Sequence, residues 1–267
     1  MALATPNSRA MPWLAGCLGF LAGIHQALAG PPATETQFAA YATKSFQEAG
    51  ERYQKAPGEA GAAWQFGRAC FDLAEFATNN TDRASLADQG IAACRRAIAR
   101  ESNSAPAHYY LGMNLGQLAR TKGLAALKLV DQMEREFIRA HDLDERFDCA
   151  GPDRNLGLLY LDAPTIGSIG SRTRAREHLK RAVELAPQYP ENRLSLIEAY
   201  LKWGERTGAN RELQALEEAW PAARTNFVGE AWVASWADWE PRLKKLKKKL
   251  EEPSKALGAP RERNSKP

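Results

Sequence analysis

The chain has 267 residues with a formal net charge of +4, and 44% of its residues are hydrophobic. That hydrophobic fraction can fill a core, which excludes a wholly disordered chain, and four cysteines over this length exclude a small domain held together by disulfides. The positive charge is local, because residues 241–267 hold ten basic and three acidic residues and residues 30–240 are slightly acidic.

The first 29 residues have the features of an export signal. Arg9 precedes an apolar stretch, and the small residues Ala27 and Ala29 fit a signal-peptidase site. We therefore predict a signal peptide over residues 1–29 and a mature protein in the periplasm. Two alternatives remain: an uncleaved anchor, because the stretch is nearly long enough to span a bilayer, and a lipoprotein acylated at Cys17, which ends Leu14-Ala15-Gly16-Cys17.

The next segment contains an internal repeat. Phenylalanine- or leucine-glycine pairs place Gly67, Gly112 and Gly157 at intervals of 45 residues, each with an apolar residue three positions later. A second amphipathic stretch follows each pair in one shared register. The three stretches contain Ile91, Cys94, Ala97 and Ile98; then Met133, Phe137, Ala140 and His141; then Ala175, Leu179, Ala182 and Val183. Helix pairs of this kind must stack on their neighbours to cover their apolar faces.

A fourth unit keeps the apolar spacing but has Ile197 in place of the glycine. Its first helix begins near residues 189–192, and its second is predicted at residues 211–220, where Pro221 should end it. The 45-residue interval is longer than two short paired helices need. We expect this additional length in loops between the paired helices, at residues 76–87, 118–130 and 162–173.

Small residues at helix crossings, aromatic residues or leucines facing them, and a closing proline such as Pro187 resemble tetratricopeptide repeats. The resemblance implies an all-α fold, an α-solenoid of about four helical hairpins with long intra-hairpin loops, over residues 30–225. A capping helix with a lysine-rich amphipathic end is predicted over residues 226–252, and a disordered tail over residues 253–267.

One stretch resembles a particular family of such proteins. GPDRNLGLLYLDAP at residues 151–164, Ser168-Ile169-Gly170, and EHLKRAVELAPQYPEN at residues 177–192 are similar to the T component of tripartite ATP-independent periplasmic (TRAP) transporters. The resemblance implies an exported, often lipid-anchored protein that works beside a substrate-binding P component, self-associates and offers a cavity to apolar ligands.

A binding groove in such a solenoid should lie on the concave face, which the first helix of each hairpin lines. The candidate ligand-binding residues are therefore those three before and one after each glycine position. They are Trp64, Arg68, Tyr109, Met113, Arg154, Leu158, Leu194 and Glu198. Aromatic and apolar side chains with two arginines suit a ligand with an apolar body and an anionic head. The alternative is that Tyr109, Met113 and Leu158 pack between adjacent repeats.

No motif for catalysis, metal binding or phosphate binding stands out. His108, His141 and His178 lie in different hairpins, each without a second ligand at helical spacing, and the sequence has no phosphate loop, zinc-protease or nucleophile-elbow signature. We predict a protein without enzymatic activity, metal or cofactor.

Export would leave Cys70, Cys94 and Cys149. Cys70 and Cys94 should face each other across one hairpin, so one interpretation is a disulfide and the other is two buried small side chains. Cys149 falls in a predicted loop at residues 148–151, where an intermolecular bond is one interpretation.

Tryptophans mark a change after the repeats. Trp232, Trp236 and Trp239 share one helical face, which predicts a capping helix over the last repeat or, alternatively, a stripe that faces a partner or lipid. A leucine seam follows, surrounded by lysines that are candidates for contact with anionic lipid or, alternatively, for a solvated helix end. These lysines are Lys244, Lys245, Lys247, Lys248 and Lys249.

Two classes of function follow from these patterns. The first is a non-enzymatic, exported accessory of a TRAP-type uptake system, which binds an apolar or amphipathic small ligand in the groove, docks to the P component and forms homo-oligomers. The second is a protein–protein interaction scaffold of the cell envelope that uses the same groove for a peptide. Neither involves nucleic acid, and the basic C-terminal end points to the membrane surface.

Overall fold

A computed structural model describes residues 33–252 and shows ten α-helices in that range. They are α1 Ala33–Lys55, α2 Ala60–Ala74, α3 Asn80–Arg100, α4 Ala105–Ala119, α5 Leu127–Leu143, α6 Phe147–Asp162, α7 Arg172–Leu185, α8 Pro190–Lys202, α9 Arg206–Asn226 and α10 Val233–Glu251. Two short 3-10 helices, Gly123–Ala126 and Glu230–Trp232, precede α5 and α10. The signal peptide, Cys17 and the tail at residues 253–267 lie outside the described residues.

The helices form the four predicted hairpins. α2 packs on α3, α4 on α5, α6 on α7, and α8 on α9, and successive hairpins stack through α3 on α4, α5 on α6, and α7 on α8. One apolar core runs from Phe71 in α2 to Leu246 in α10. The all-α solenoid is therefore confirmed, with α1 packed on α2 at its N-terminal end.

The three repeat glycines lie where the helices of each hairpin cross. A Cβ atom on any of them would overlap a side chain of the second helix. Gly67 faces Cys94, Gly112 faces Phe137, and Gly157 faces Leu179. These partners are equivalent positions of the predicted register, so the sequence period corresponds to a repeated helix crossing.

Replacing Gly67 by alanine should lower the free energy of unfolding by about 1–3 kcal/mol, because the new Cβ would overlap the buried Sγ of Cys94. Alanine's better helix propensity offsets no more than about 1 kcal/mol of that loss. Urea denaturation measures the change. Adding Cys94→Ala removes the sulfur and should recover part of the stability, whereas a Gly67→Ala variant as stable as the natural protein would refute the close crossing.

The predicted loops are too long in two of three hairpins. α3 already begins at Asn80, because the side chain of Asn79 accepts a hydrogen bond from the backbone N–H of Asp82 and caps the helix. Residues 118–130 are largely helical as well, whereas residues 163–171 do form the third connection. Much of the surplus repeat length is helix, since α3 has 21 residues.

The prediction that Pro221 ends the second helix of the fourth unit is wrong. α9 starts at Arg206 and continues through Pro221 to Asn226. Pro221 lies on the exposed side of the helix, where water can bond the carbonyl that the missing N–H leaves free.

The predicted loop at residues 148–151 is a left-handed turn at the start of α6. Asp148, Cys149 and Ala150 have φ values of 51°, 55° and 63°. This conformation costs roughly 1–2 kcal/mol for each residue with a side chain, so surrounding contacts must hold it.

The candidate disulfide is not formed. Cys70, Cys94 and Cys149 are free thiols, and Cys70 and Cys94 are completely buried. Burial raises the pKa of Cys70 and of Cys149 to about 12, so their reactive thiolate forms are scarce at neutral pH.

The predicted capping helix is α10. It packs on α8 and α9 and buries Trp239 and Leu246. In residues 33–252, no helix is both long and apolar enough to span a bilayer.

Candidate functional site

The protein's own side chains close most of the predicted concave groove. Tyr109, Met113, Arg154 and Leu194 have no exposed surface, and Leu158 is also buried. Packing between repeats, the alternative for Tyr109, Met113 and Leu158, is therefore what the structure shows for the free protein. A role in ligand binding stays a prediction for these residues, and it would require the core to open.

A buried polar network explains why Tyr109 and Arg154 lie inside. The Tyr109 hydroxyl donates to Oδ2 of Asp148 at 2.8 Å, and Arg154 donates to the same oxygen at 3.0 Å. The Asn155 amide donates to the Tyr109 hydroxyl at 2.9 Å. Arg154 also donates to Oδ1 of Asn192 at 2.9 Å. The network thus joins α4, α6 and α8 across three hairpins.

The same network holds the left-handed turn. Arg154 donates to the carbonyl of Cys149 at 3.3 Å, and the Asn192 amide donates to that carbonyl at 3.0 Å. Burial alone would lower the pKa of Arg154, but Tyr109 and Asp148 help to raise it, so the guanidinium stays charged. Burial raises the pKa of Tyr109 well above its usual value, so the phenol remains a donor. These contacts assign Arg154 a structural role in the free protein.

The first two candidate positions are only partly buried. Trp64 stacks on Tyr110, with parallel rings whose centroids are 6.0 Å apart. Arg68 pairs with Asp72 one helical turn further along α2, at 3.5 Å. Trp64 therefore already has a partner in the next hairpin, and Arg68 has one in its own helix.

The last candidate positions, Leu194 and Glu198, lie in the helix that α10 covers. Arg242 of α10 donates to Glu198 at 2.9 Å and to the fully buried Glu191 at 2.8 Å. The indole N–H of Trp239 donates to Glu191 at 3.0 Å. A charged contact and an aromatic contact therefore fix α10 on α8.

The histidines are less isolated than their positions in the sequence indicate. Nδ1 of His141 lies 2.9 Å from one oxygen of the buried Asp153, and Nδ1 of His178 lies 2.8 Å from the other. His108 pairs with Glu136 at 2.6 Å, and that hydrogen bond raises the pKa of His108. Within residues 33–252 no cluster of three or more potential ligands could hold a metal ion. The three histidines therefore reinforce contacts between helices.

An open cleft of about 540 Å³ lies elsewhere, between the first helix and the segment that leads into α10. Its walls are built from one face of α1 and from the 3-10 helix with the first turn of α10. The lining residues are Gln37, Phe38, Ala40, Tyr41, Lys44, Glu230, Ala231, Val233 and Ala234.

The cleft has apolar walls with exposed side chains. Tyr41 is 41% exposed and Val233 is 52% exposed, whereas Ala42 and Ala49 of α1 are buried. Lys44 and Glu230 add one charge of each sign. This surface lies outside the predicted concave groove, although the aromatic residues on more than one side of α1 were a signal for it.

Comparison with known proteins agrees with the fold. The profile of a family described as RMD1-3, regulator of microtubule dynamics protein 1-3, matches residues 33–145, which is less than half of the chain. No curated protein sequence matches.

Among solved structures, the tetratricopeptide-repeat protein TTC0263 from Thermus thermophilus is similar, with 17% identity and a TM-score of 0.55 over 81% of this chain and 93% of that chain. A structure of MamA has 15% identity and a TM-score of 0.49, covering 74% of this chain and 99% of that one. The likeness to TTC0263 shows the fold alone: the protein is a tetratricopeptide-like helical repeat protein.

Proposed function

We propose that the protein is a non-enzymatic scaffold that binds a polypeptide partner in the cleft between α1 and residues 230–234. The observation that carries this proposal is the uncovered apolar face of α1, where Tyr41 faces the same cleft as Val233. Helical repeat stacks commonly provide extended protein-binding surfaces, which supports the proposal.

The shape and chemistry of the cleft favour a polypeptide. Its volume lies in the range of roughly 300–1,000 Å³ that is usual for binding sites, but it is open and formed by two separate segments. An apolar centre with charged residues at its edge is typical of protein interfaces, and tyrosine is frequent among the residues that dominate binding energy. Phe38 and Tyr41 can therefore anchor an apolar segment, while Lys44 and Glu230 pair with polar groups beside it.

The concave positions are a less favourable binding surface. A ligand at Tyr109 would have to separate it from Asp148 and Asn155. Each buried polar group left without a partner costs about 1–3 kcal/mol. The cleft requires no such rearrangement, because Tyr41 and Val233 are already exposed.

Site-specific photo-crosslinking in the producing cells tests the proposal. A photo-reactive phenylalanine analogue is placed at Tyr41, at Val233, or at the control position Ile166, which is 92% exposed and lies outside the cleft. We expect one protein to crosslink at both cleft positions and not at Ile166. Crosslinking at the control alone would contradict the proposal.

The affinity of the captured protein gives the quantitative test. Tyr41→Asp should weaken its binding by a factor of about 30, as expected for loss of an aromatic anchor worth about 2 kcal/mol. Isothermal titration calorimetry measures the change, and Ile166→Asp serves as the matched control. Both substitutions are at exposed positions, so the melting temperature should stay nearly unchanged. Equal affinity for Tyr41→Asp and the natural protein would refute the cleft.

A more specific proposal rests on the likeness of residues 151–192 to TRAP T components. In that case the protein is exported after cleavage at Ala29, and the partner in the cleft is a substrate-binding P component. The photo-crosslinked protein would then be that component. Capture of an unrelated protein would contradict the TRAP proposal but not the scaffold proposal. Native mass spectrometry tests the accompanying small apolar ligand, and a protein purified without one would contradict it.

A further inference from the structure

The outer face of α10 carries a cluster of lysines that the scaffold function does not use. The exposed lysines are Lys244, Lys245, Lys248 and Lys249. They lie on one side of the helix, because positions 248 and 249 are one turn beyond positions 244 and 245. In the described part of the chain, none of these four ammonium groups has an ion-pair partner. Lys247, also predicted to contact the membrane, pairs instead with Glu217 of α9 at 2.5 Å.

The rest of the helix is committed to the protein. Leu243 and Leu246 are buried on the opposite side, so the leucine seam belongs to the core and is not available to lipid. Arg206 donates to the carbonyls of Lys249 and Leu250 at 3.2 and 2.9 Å. Arg206 thus holds the end of α10 in place. It also occupies last-turn carbonyls that lysine side chains could otherwise bind, so the neighbouring lysines can face solvent.

Acidic residues near the cluster have partners of their own. Glu240 pairs with Arg224, and Asp238 pairs with Arg242. The positive charge of the outer face is therefore offset only at the end of the helix, by Glu251 and Glu252.

We infer that the outer face of α10 docks the protein on an anionic membrane surface. Four ammonium groups on one convex helix face complement a plane of lipid phosphates, and they form no pocket that would select a particular acidic peptide. No aromatic side chain interrupts this face to stack on bases, which disfavours nucleic acid. Because the leucines face the core, the attraction is electrostatic, reversible and sensitive to salt.

Sedimentation of the full-length protein with lipid vesicles tests the inference. Vesicles of phosphatidylcholine with phosphatidylglycerol should bind the protein more strongly than phosphatidylcholine alone, and added salt should remove the difference. Replacing all four lysines by glutamine should weaken binding to the anionic vesicles roughly fivefold for each lysine. Circular dichroism checks that the variant remains folded.

A matched variant distinguishes the effect of the lysines' position on α10 from the effect of losing four positive charges. It replaces Lys55, Lys122, Lys128 and Lys180, which are exposed on other helices and connections, by glutamine. Both variants keep the basic residues after Glu252 and lose four charges, so a loss confined to the α10 variant supports the inference. Equal losses in both variants, no loss in the α10 variant, or binding to an oligonucleotide but not to anionic vesicles would each overturn it.

Discussion

The Arg154→Met variant is expected to lose about 3–5 kcal/mol of unfolding free energy, because it removes the cation that pairs with the buried Asp148 carboxylate. Both side chains are essentially inaccessible, at 0% and 1% exposure, and their atoms are 3.0 Å apart. Arg154 also donates to backbone carbonyls of the left-handed turn, so its loss should loosen residues 148–150. For a protein of this size the melting temperature should fall by roughly 10 °C.

A double-mutant cycle separates the ion pair from the loss of packing. Asp148→Asn keeps a side chain that tolerates positive φ and removes the charge. Methionine at position 154 should therefore cost less in the Asp148→Asn background than in the natural protein. A cost below about 1 kcal/mol for Arg154→Met alone would show that the buried pair does not hold the turn.

The Arg242→Met variant is expected to lose about 3 kcal/mol and to loosen α10, because Glu191 would stay buried without its arginine. Hydrogen exchange should then increase across residues 233–251 more than in α4. The control is Arg224→Met, which removes the half-exposed pair with Glu240 at the contact of α9 with α10.

An exposed pair of that kind contributes no more than about 1 kcal/mol, and the stacking of Arg224 on the Trp236 ring at 4.0 Å adds roughly another 0.5–1 kcal/mol. A larger loss of unfolding free energy for Arg242→Met than for Arg224→Met would therefore identify the buried contact with Glu191 as the anchor of α10. Equal losses of unfolding free energy in the two variants would contradict it, and so would unchanged hydrogen exchange across α10 in the Arg242→Met variant.

The repeat and its register could be predicted because they depend on local spacing. A glycine at each crossing leaves room for one side chain of the facing helix, and Gly112 with Phe137 recurs as Gly157 with Leu179. The spacing of apolar residues along the sequence therefore predicts which positions of the two helices face each other. The four hairpins and the capping helix follow from the same pattern.

The accessibility of the concave face could not be predicted in this way. Tyr109 meets Asp148, 39 residues later, only because the stacking of two hairpins brings α4 beside the left-handed turn at the start of α6. The three left-handed residues at positions 148–150 include no glycine, and Gly151 and Pro152 after them indicate a turn without specifying its conformation. Burial of Glu191 under α10 likewise depends on a contact between residues 51 positions apart.

The cleft was missed for a related reason. Tyr41 and Val233 lie at opposite ends of the repeat array in sequence, and their approach depends on the curvature accumulated over all four hairpins. Sequence patterns show that α1 has apolar residues on more than one side, but they do not show what its second face meets.

Hydrogen exchange of the complex with the protein captured through Tyr41 tests the scaffold proposal most directly. Binding in the cleft should slow exchange at residues 37–44 and 230–234, with little change around Trp64 and Arg68. Protection centred on α2 and α4, with exchange in the cleft unchanged, would contradict it and return the binding site to the concave face.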